Sequence, residues 1–134
     1  MSRFAFPLTW LLGQDSVRRI SSRPLPLTSG SEVATLVAGA ELLRKDGVKL
    51  RIVSVPSEGL FRSQAPGYQE SVIPANAKVF GLTAGLPVTL EGLVGAHGKV
   101  WGLESFGFSA PYKVLDEKLG FTAENVYKQV KAMI

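Results

Sequence analysis

A chain of 134 residues with a net charge of +4 and a pI near 9.6 fits a single domain, large enough to bury roughly 68–70% of its unfolded surface. The absence of cysteine excludes disulfides, thiolate metal sites and a cysteine nucleophile, and permits a reducing compartment. Four arginines against Asp15 place +3 in residues 1–30, and the remaining 11 basic and 10 acidic groups leave +1 elsewhere, with no basic face interleaved with aromatics, so no nucleic-acid partner is expected.

Residues 1–28 differ from the rest in composition and stand as an unassigned leader, expected to be poorly ordered, ahead of a domain over residues 29–134. Phe4 to Leu12 is an apolar run interrupted by Pro7 and Thr9, far short of the about 20 residues that span a bilayer, and no membrane partner is expected. Its Arg- and Ser-rich, nearly acid-free composition resembles an organelle transit peptide. Arg3 before an apolar run resembles a secretory signal, although no small-x-small cleavage site follows Leu12. A cytoplasmic location, or an organelle if the leader is a transit peptide, follows.

Ser29 and Glu32 have the S-x-x-E spacing of a capping box and predict a helix start. Val33, Leu36, Val37, Ala40 and Leu43 recur at helical spacing, and Asp46-Gly47 predicts the stop. Val48 to Val55, β-branched and followed by Pro56, predicts a strand. Helix leading into strand is the repeat of a parallel sheet with helical crossovers. Pro56-Ser57 opens a short helical stretch through Leu60, Phe61 and Gln64 that Pro66-Gly67 should break, and Tyr68 to Val72 adds a turn or two.

Lys78 to Thr83 and Lys99 to Leu103 predict two more strands. Val88 to Val94 is ambiguous between helix and irregular chain, because Gly92 and Gly95 weaken it. Tyr112, Leu115 and Leu119 share one helix face, and Val126, Val130 and Met133 share another. Gly107 and Gly120 suit positive φ, Pro111 suits a helix first turn, and Ser109 and Thr122 suit helix caps.

Few residues invite chemistry. Gly30-Ser31 at a helix start could hold an anion on free amides, but neither a Walker sequence nor G-x-G-x-x-G is present, and capping explains them. His97, the only histidine, sits in a loop composition without the partners a zinc site needs. Ser109 lacks the G-x-S-x-G of a nucleophile elbow. Glu104 stands at a strand end, where ligands gather in open α/β sheets. A possible ligand pocket is therefore Gly30, Ser31, Gly85 and Glu104, with no catalytic, cofactor-binding or metal residue assigned.

Five motifs in one order resemble the C-terminal domain of transketolase of the bacterial and plant type. They are Thr28 to Val33 (A-T-G-S-E-V in the family), Val53 to Ser57 with Leu60, Phe61 and Gln64 (V-S-M-P-S-x-x-L-F-x-x-Q), Tyr68 to Pro74 (Y-x-E-S-V-L-P), Phe106 to Pro111 (F-G-x-S-A-P) and Gly120 to Val126 (G-F-T-x-E-N-V). The resemblance implies a three-layer α/β/α domain around a five-stranded mixed, mainly parallel sheet. It also implies the third domain of a homodimeric enzyme that moves a ketol unit between sugar phosphates in the pentose phosphate and Calvin pathways. The family's thiamine diphosphate and magnesium are held by two preceding domains that this sequence does not contain, so no family catalytic residue carries over.

There are departures. Thr83-Ala84-Gly85 replaces Glu-Ala-Gly, Gly59 replaces a glutamate, and Leu90-Glu91-Gly92-Leu93 replaces an aromatic and basic cluster. Ser22 to Pro26 is taken as only a chance likeness to the family's S-R-Q-x-L-P. The first strand is reduced to Arg23–Leu27, where Pro24 and Pro26 are poor ladder members away from an edge, which predicts a frayed edge or one completed by a partner chain.

Three functions follow: an interaction module that is non-catalytic alone, a regulatory domain binding a small anion or sugar phosphate, or one chain of a split transketolase. Partners are then thiamine-diphosphate-binding domains on another chain or a homo-oligomer.

Overall fold

The computed structural model describes residues 23–134 and the backbone of Phe6–Pro7. The expectations of a transit-like or secretory leader and of disorder fall, for residues 1–22, outside this description apart from that pair, whereas Pro24–Thr28 of the same leader is a buried strand. Among the described residues eleven elements follow in order: β1 (Phe6–Pro7), β2 (Pro24–Thr28), α1 (Val33–Lys45), β3 (Val53–Ser54), α2 (Glu58–Arg62), α3 (Pro66–Val72), β4 (Lys78–Leu82), α4 (Val88–Val94), β5 (Lys99–Trp101), α5 (Tyr112–Leu119) and α6 (Ala123–Lys131).

Four strands form a parallel body in the order β3-β2-β4-β5, and β1 adds an antiparallel pair outside β3, giving the mixed, mainly parallel sheet of five. Alternation along the strands sends side chains to two cores. Leu25, Leu27, Val53, Val55 and Val79 pack with Phe61, Val72, Leu90 and Val94 beneath α2, α3 and α4. Phe80, Leu82 and Ile52 pack with Leu36, Leu43, Val126 and Val130 beneath α1 and α6. Helices therefore cover both faces, as two-sided burial of a parallel sheet requires.

The strand with two prolines is not an edge. β2 is the centre of the sheet and pairs with β4 over five residues and with β3 over two. The carbonyls of Pro24 and Thr28 accept from Arg51 N (3.3 Å) and Val55 N (2.8 Å), so alternate residues 24, 26 and 28 turn their backbone groups toward β3. Both missing proline donors therefore face the same neighbour. The β4 side keeps Leu25 and Leu27 with their donors, whereas the β3 side loses two. This accounts for the shrinkage of the expected Val48–Val55 strand to Val53–Ser54, and it means that the division at residue 28/29 cuts through the sheet.

Smaller corrections have equally local causes. The capping box does not form: Gly30 takes φ +125°, α1 starts only at Val33, and the carboxylate of Glu32 accepts from the adjacent Ser31 hydroxyl instead. Pro66-Gly67 opens α3 instead of only ending α2, because proline at the first helical position lacks a donor that would be unpaired there anyway. Val88 to Val94 resolves as the helix α4, with Leu90, Leu93 and Val94 buried. Of the expected Lys99–Leu103 strand, Lys99–Trp101 forms β5.

Candidate functional site

The chain leaves β2 for β3 on one side and then returns past β2 to β4, so the carboxyl ends of β2 and β4 bound the switch point where open α/β sheets receive ligands. Gly30 and Ser31 lie exposed just beyond β2, and Gly85 lies exposed just beyond β4. Glu104 follows β5, one strand further out. The last two are tied together: Leu103 N donates to the Gly85 carbonyl (2.9 Å), Thr83 N to the Trp101 carbonyl (3.0 Å), and Gly85 N to Thr83 Oγ1 (3.1 Å).

Glu104 borders two surface depressions. One, of about 300 Å³, is walled by Pro87, Lys99, Trp101 and Gly102; the other, of about 290 Å³, by Leu86, Ser105 and Phe106. Gly30, Ser31 and Gly85 line neither. Of the four candidate residues, Glu104 thus borders both depressions, while Gly30, Ser31 and Gly85 lie exposed on the loops that follow β2 and β4. His97 is exposed in the turn between α4 and β5.

Ser109 caps nothing. The N-cap of α5 is Pro111, and no side chain bonds to that helix start. Gly107 does not take positive φ, whereas Gly120 does, at +79°. Thr122 accepts from Asn125 N (3.2 Å), and Asn125 Nδ2 donates to the Gly120 carbonyl (2.8 Å). A Cβ on Gly120 would stand 2.8 Å from Trp101 Cζ2, and Trp101 Nε1 donates to the Leu119 carbonyl (3.1 Å). The segment from Leu119 to Val126 is therefore fixed by contacts within the domain.

Sequence reasoning missed the apolar surface beside Glu104. Phe106 is 98% exposed and Tyr112 69%, with Leu86, Val88, Phe108 and Val114 also exposed. A signal was available: Phe106 and Phe108 flank a glycine between strand and helix, outside any periodicity that would bury them. Also missed was Thr28, fully buried at the end of β2 with no partner for Oγ1.

The sequence profile described as the Transketolase-like TK C-terminal domain matches residues 23–122, most of the chain. The chain belongs to the transketolase family. It is similar to the transketolase of Staphylococcus epidermidis, with 40% identity over 110 residues, covering 81% of this chain and 17% of that protein. Transketolase 1 of Pasteurella multocida is 39% identical over 109 residues, covering 81% and 16%. The transketolase structure from Campylobacter jejuni superposes with a TM-score of 0.79 at 29% identity, covering 96% of this chain and 18% of that one. A split-gene transketolase, an inactive beta4 tetramer, shares the fold at TM-score 0.66 and 16% identity, over 83% of this chain and 39% of that one. The chain thus spans less than a fifth of the full-length relatives it matches.

Neither depression fits the family's thiamine diphosphate. Among the described residues no group of three or more His, Cys, Asp or Glu could hold a metal ion. A diphosphate needs convergent donors, and the two depressions offer the carboxylate of Glu104 and one ammonium, Lys99, whose Nζ already donates to Gln129 Oε1 (2.6 Å). No nucleophile–base pair within hydrogen-bond reach lines either depression. Among the described residues no helix is long and apolar enough to cross a membrane.

Proposed function

We propose that this chain acts as the C-terminal module of a ketol-transferring enzyme of the transketolase type and is non-catalytic by itself. The observation that carries this reading is the match of residues 23–122 to the C-terminal domain of a family whose full-length members are about six times longer than the matched part. Within that reading its work is structural: it supplies a rigid α/β body and a surface, while thiamine diphosphate and metal chemistry belongs to domains outside this sequence. The purified chain is expected to show no saturable heat on titration with thiamine diphosphate and magnesium. A stoichiometric isotherm would overturn the proposal.

One chain of a split enzyme is the second reading, favoured by the fold shared with a split-gene transketolase. It requires a separate polypeptide carrying the thiamine diphosphate domains. Ketol transfer on mixing that polypeptide with this chain, and by neither alone, would establish it.

A further inference from the structure

The two family motifs near the carboxyl terminus behave oppositely. Gly120 to Val126 is accounted for inside the domain by a cap, a left-handed glycine and the packing on Trp101. Phe106 to Pro111 is accounted for only at its end, where Pro111 is the N-cap of α5 and its carbonyl accepts from Val114 N (3.0 Å): the segment buries no side chain and leads into α5, which also buries none. A helix of eight residues is marginal in water on its own and depends on packing of its apolar face. Phe106 shares a depression with Leu86, and Phe108 is bridged to α5 by Lys118 Nζ, 3.9 Å from its ring centroid. Leu86 and Phe106 are thus exposed side by side, Phe108 is exposed on the same loop, and Tyr112 and Val114 are exposed on the helix it leads into, a concentration of large apolar side chains unlike single scattered ones.

We propose that this surface is the docking face for the cofactor-binding portion of a transketolase, which would meet it with an apolar, weakly charged patch. The inference rests on the module reading above. The occupant follows from two observations. The segment keeps the family's F-G-x-S-A-P pattern yet leaves both of its phenylalanines exposed, and the relatives reported above carry more than four fifths of their length outside the matched part. Lys113 and Lys118 stand against Glu104, Asp116 and Glu117, a net charge of −1 that disfavours an anionic membrane or nucleic acid.

The test titrates the full chain into Staphylococcus epidermidis transketolase lacking its C-terminal domain, once that protein is shown to unfold cooperatively. The wild-type chain is expected to bind. The Phe106→Ser/Tyr112→Ser double variant and the independent Leu86→Ser variant should each bind at least about tenfold more weakly, a loss of about 1.4 kcal/mol. Their melting temperatures should stay within a degree or so of wild type, as expected for exposed positions. Ile134→Ser, exposed on the last residue, should bind as wild type. Unchanged binding by both face variants overturns the assignment of the face while leaving the module reading intact. Failure of the wild-type chain to bind overturns the module reading itself. A homodimer of this chain by light scattering, dissolved by the same substitutions, assigns the face to a second copy and also overturns the proposal.

Discussion

Asp46 joins the end of α1 to α6 across 81 residues of sequence: Tyr127 Oη donates to its Oδ2 at 2.5 Å, and Lys131 Nζ lies 3.1 Å away. The Tyr127 hydroxyl, and after it Lys131, hold the Asp46 carboxyl below the usual aspartate range, while Asp46 holds the Tyr127 phenol above its usual one. The lowered aspartate contributes stability that is present above its unfolded pKa and lost as pH falls through the depressed folded value. The raised tyrosine contributes stability that is present below its unfolded pKa and lost as pH rises through the elevated folded value. The gap in melting temperature between wild type and Asp46→Asn is therefore expected to be widest near neutrality and to close in acid and in alkali. A gap as wide at about pH 2 as at pH 7 would refute the assignment. The sites are exposed, so the gap should also shrink with salt. Asp46-Gly47 was legible as a helix stop because glycine there is a local signal. The pairing with Tyr127 was not, because nothing local links two polar residues so far apart. Thr122 and Ser109 show the same limit: both precede a helix, but only Thr122 stands at the N-cap, and Pro111 takes that place ahead of α5.

At the scale of elements, α1 and α6 cross at Gly39. A Cβ there would come within 2.5 Å of Val126 Cγ1 and 3.0 Å of the Ala123 carbonyl, and the β-branched valine cannot swing aside. Alanine would raise helix propensity by about 1 kcal/mol, yet overpacking of this kind costs about 1–3 kcal/mol. Gly39→Ala is therefore expected to lower the urea midpoint. Gly39→Ala with Val126→Ala should lose less than the sum of the two single variants, a coupling that a double-mutant cycle measures. Additive losses would show that the helices adjust freely. Helical periodicity exposed both helices in the sequence, since Leu36, Leu43, Val126 and Val130 repeat at the spacing of one face. It could not show that a glycine within α1 marks the contact. Strand lengths were less legible still, because a ladder depends on the donors of its neighbour.

At the scale of the molecule, the family, the layering and the mainly parallel sheet were legible from motifs and from alternating helix and strand. The place of β2 was not. Two prolines normally mark an edge, and only the shared direction of their missing donors reconciles them with the centre. A chain beginning at Ser29 lacks the strand that joins β3 to β4 and is expected to show no cooperative transition by calorimetry, whereas one beginning at Arg23 retains it. Cooperative melting of the shorter chain would mean that another segment can replace β2. The candidate site was legible only in part: Glu104 could be picked out as a strand-end carboxylate, but of the apolar neighbours that make its surroundings concave, Leu86 and Pro87 come from a different loop. The prolines carry one more consequence, for the chain before it is folded. A nascent or transiently opened β2 offers a complete row of donors and acceptors on one flank and a broken row on the other, so it can recruit β4 but is a poor template for a stray strand on its second side. The centre of the sheet thus has a built-in gatekeeper against cross-chain aggregation, at the cost of a short β3.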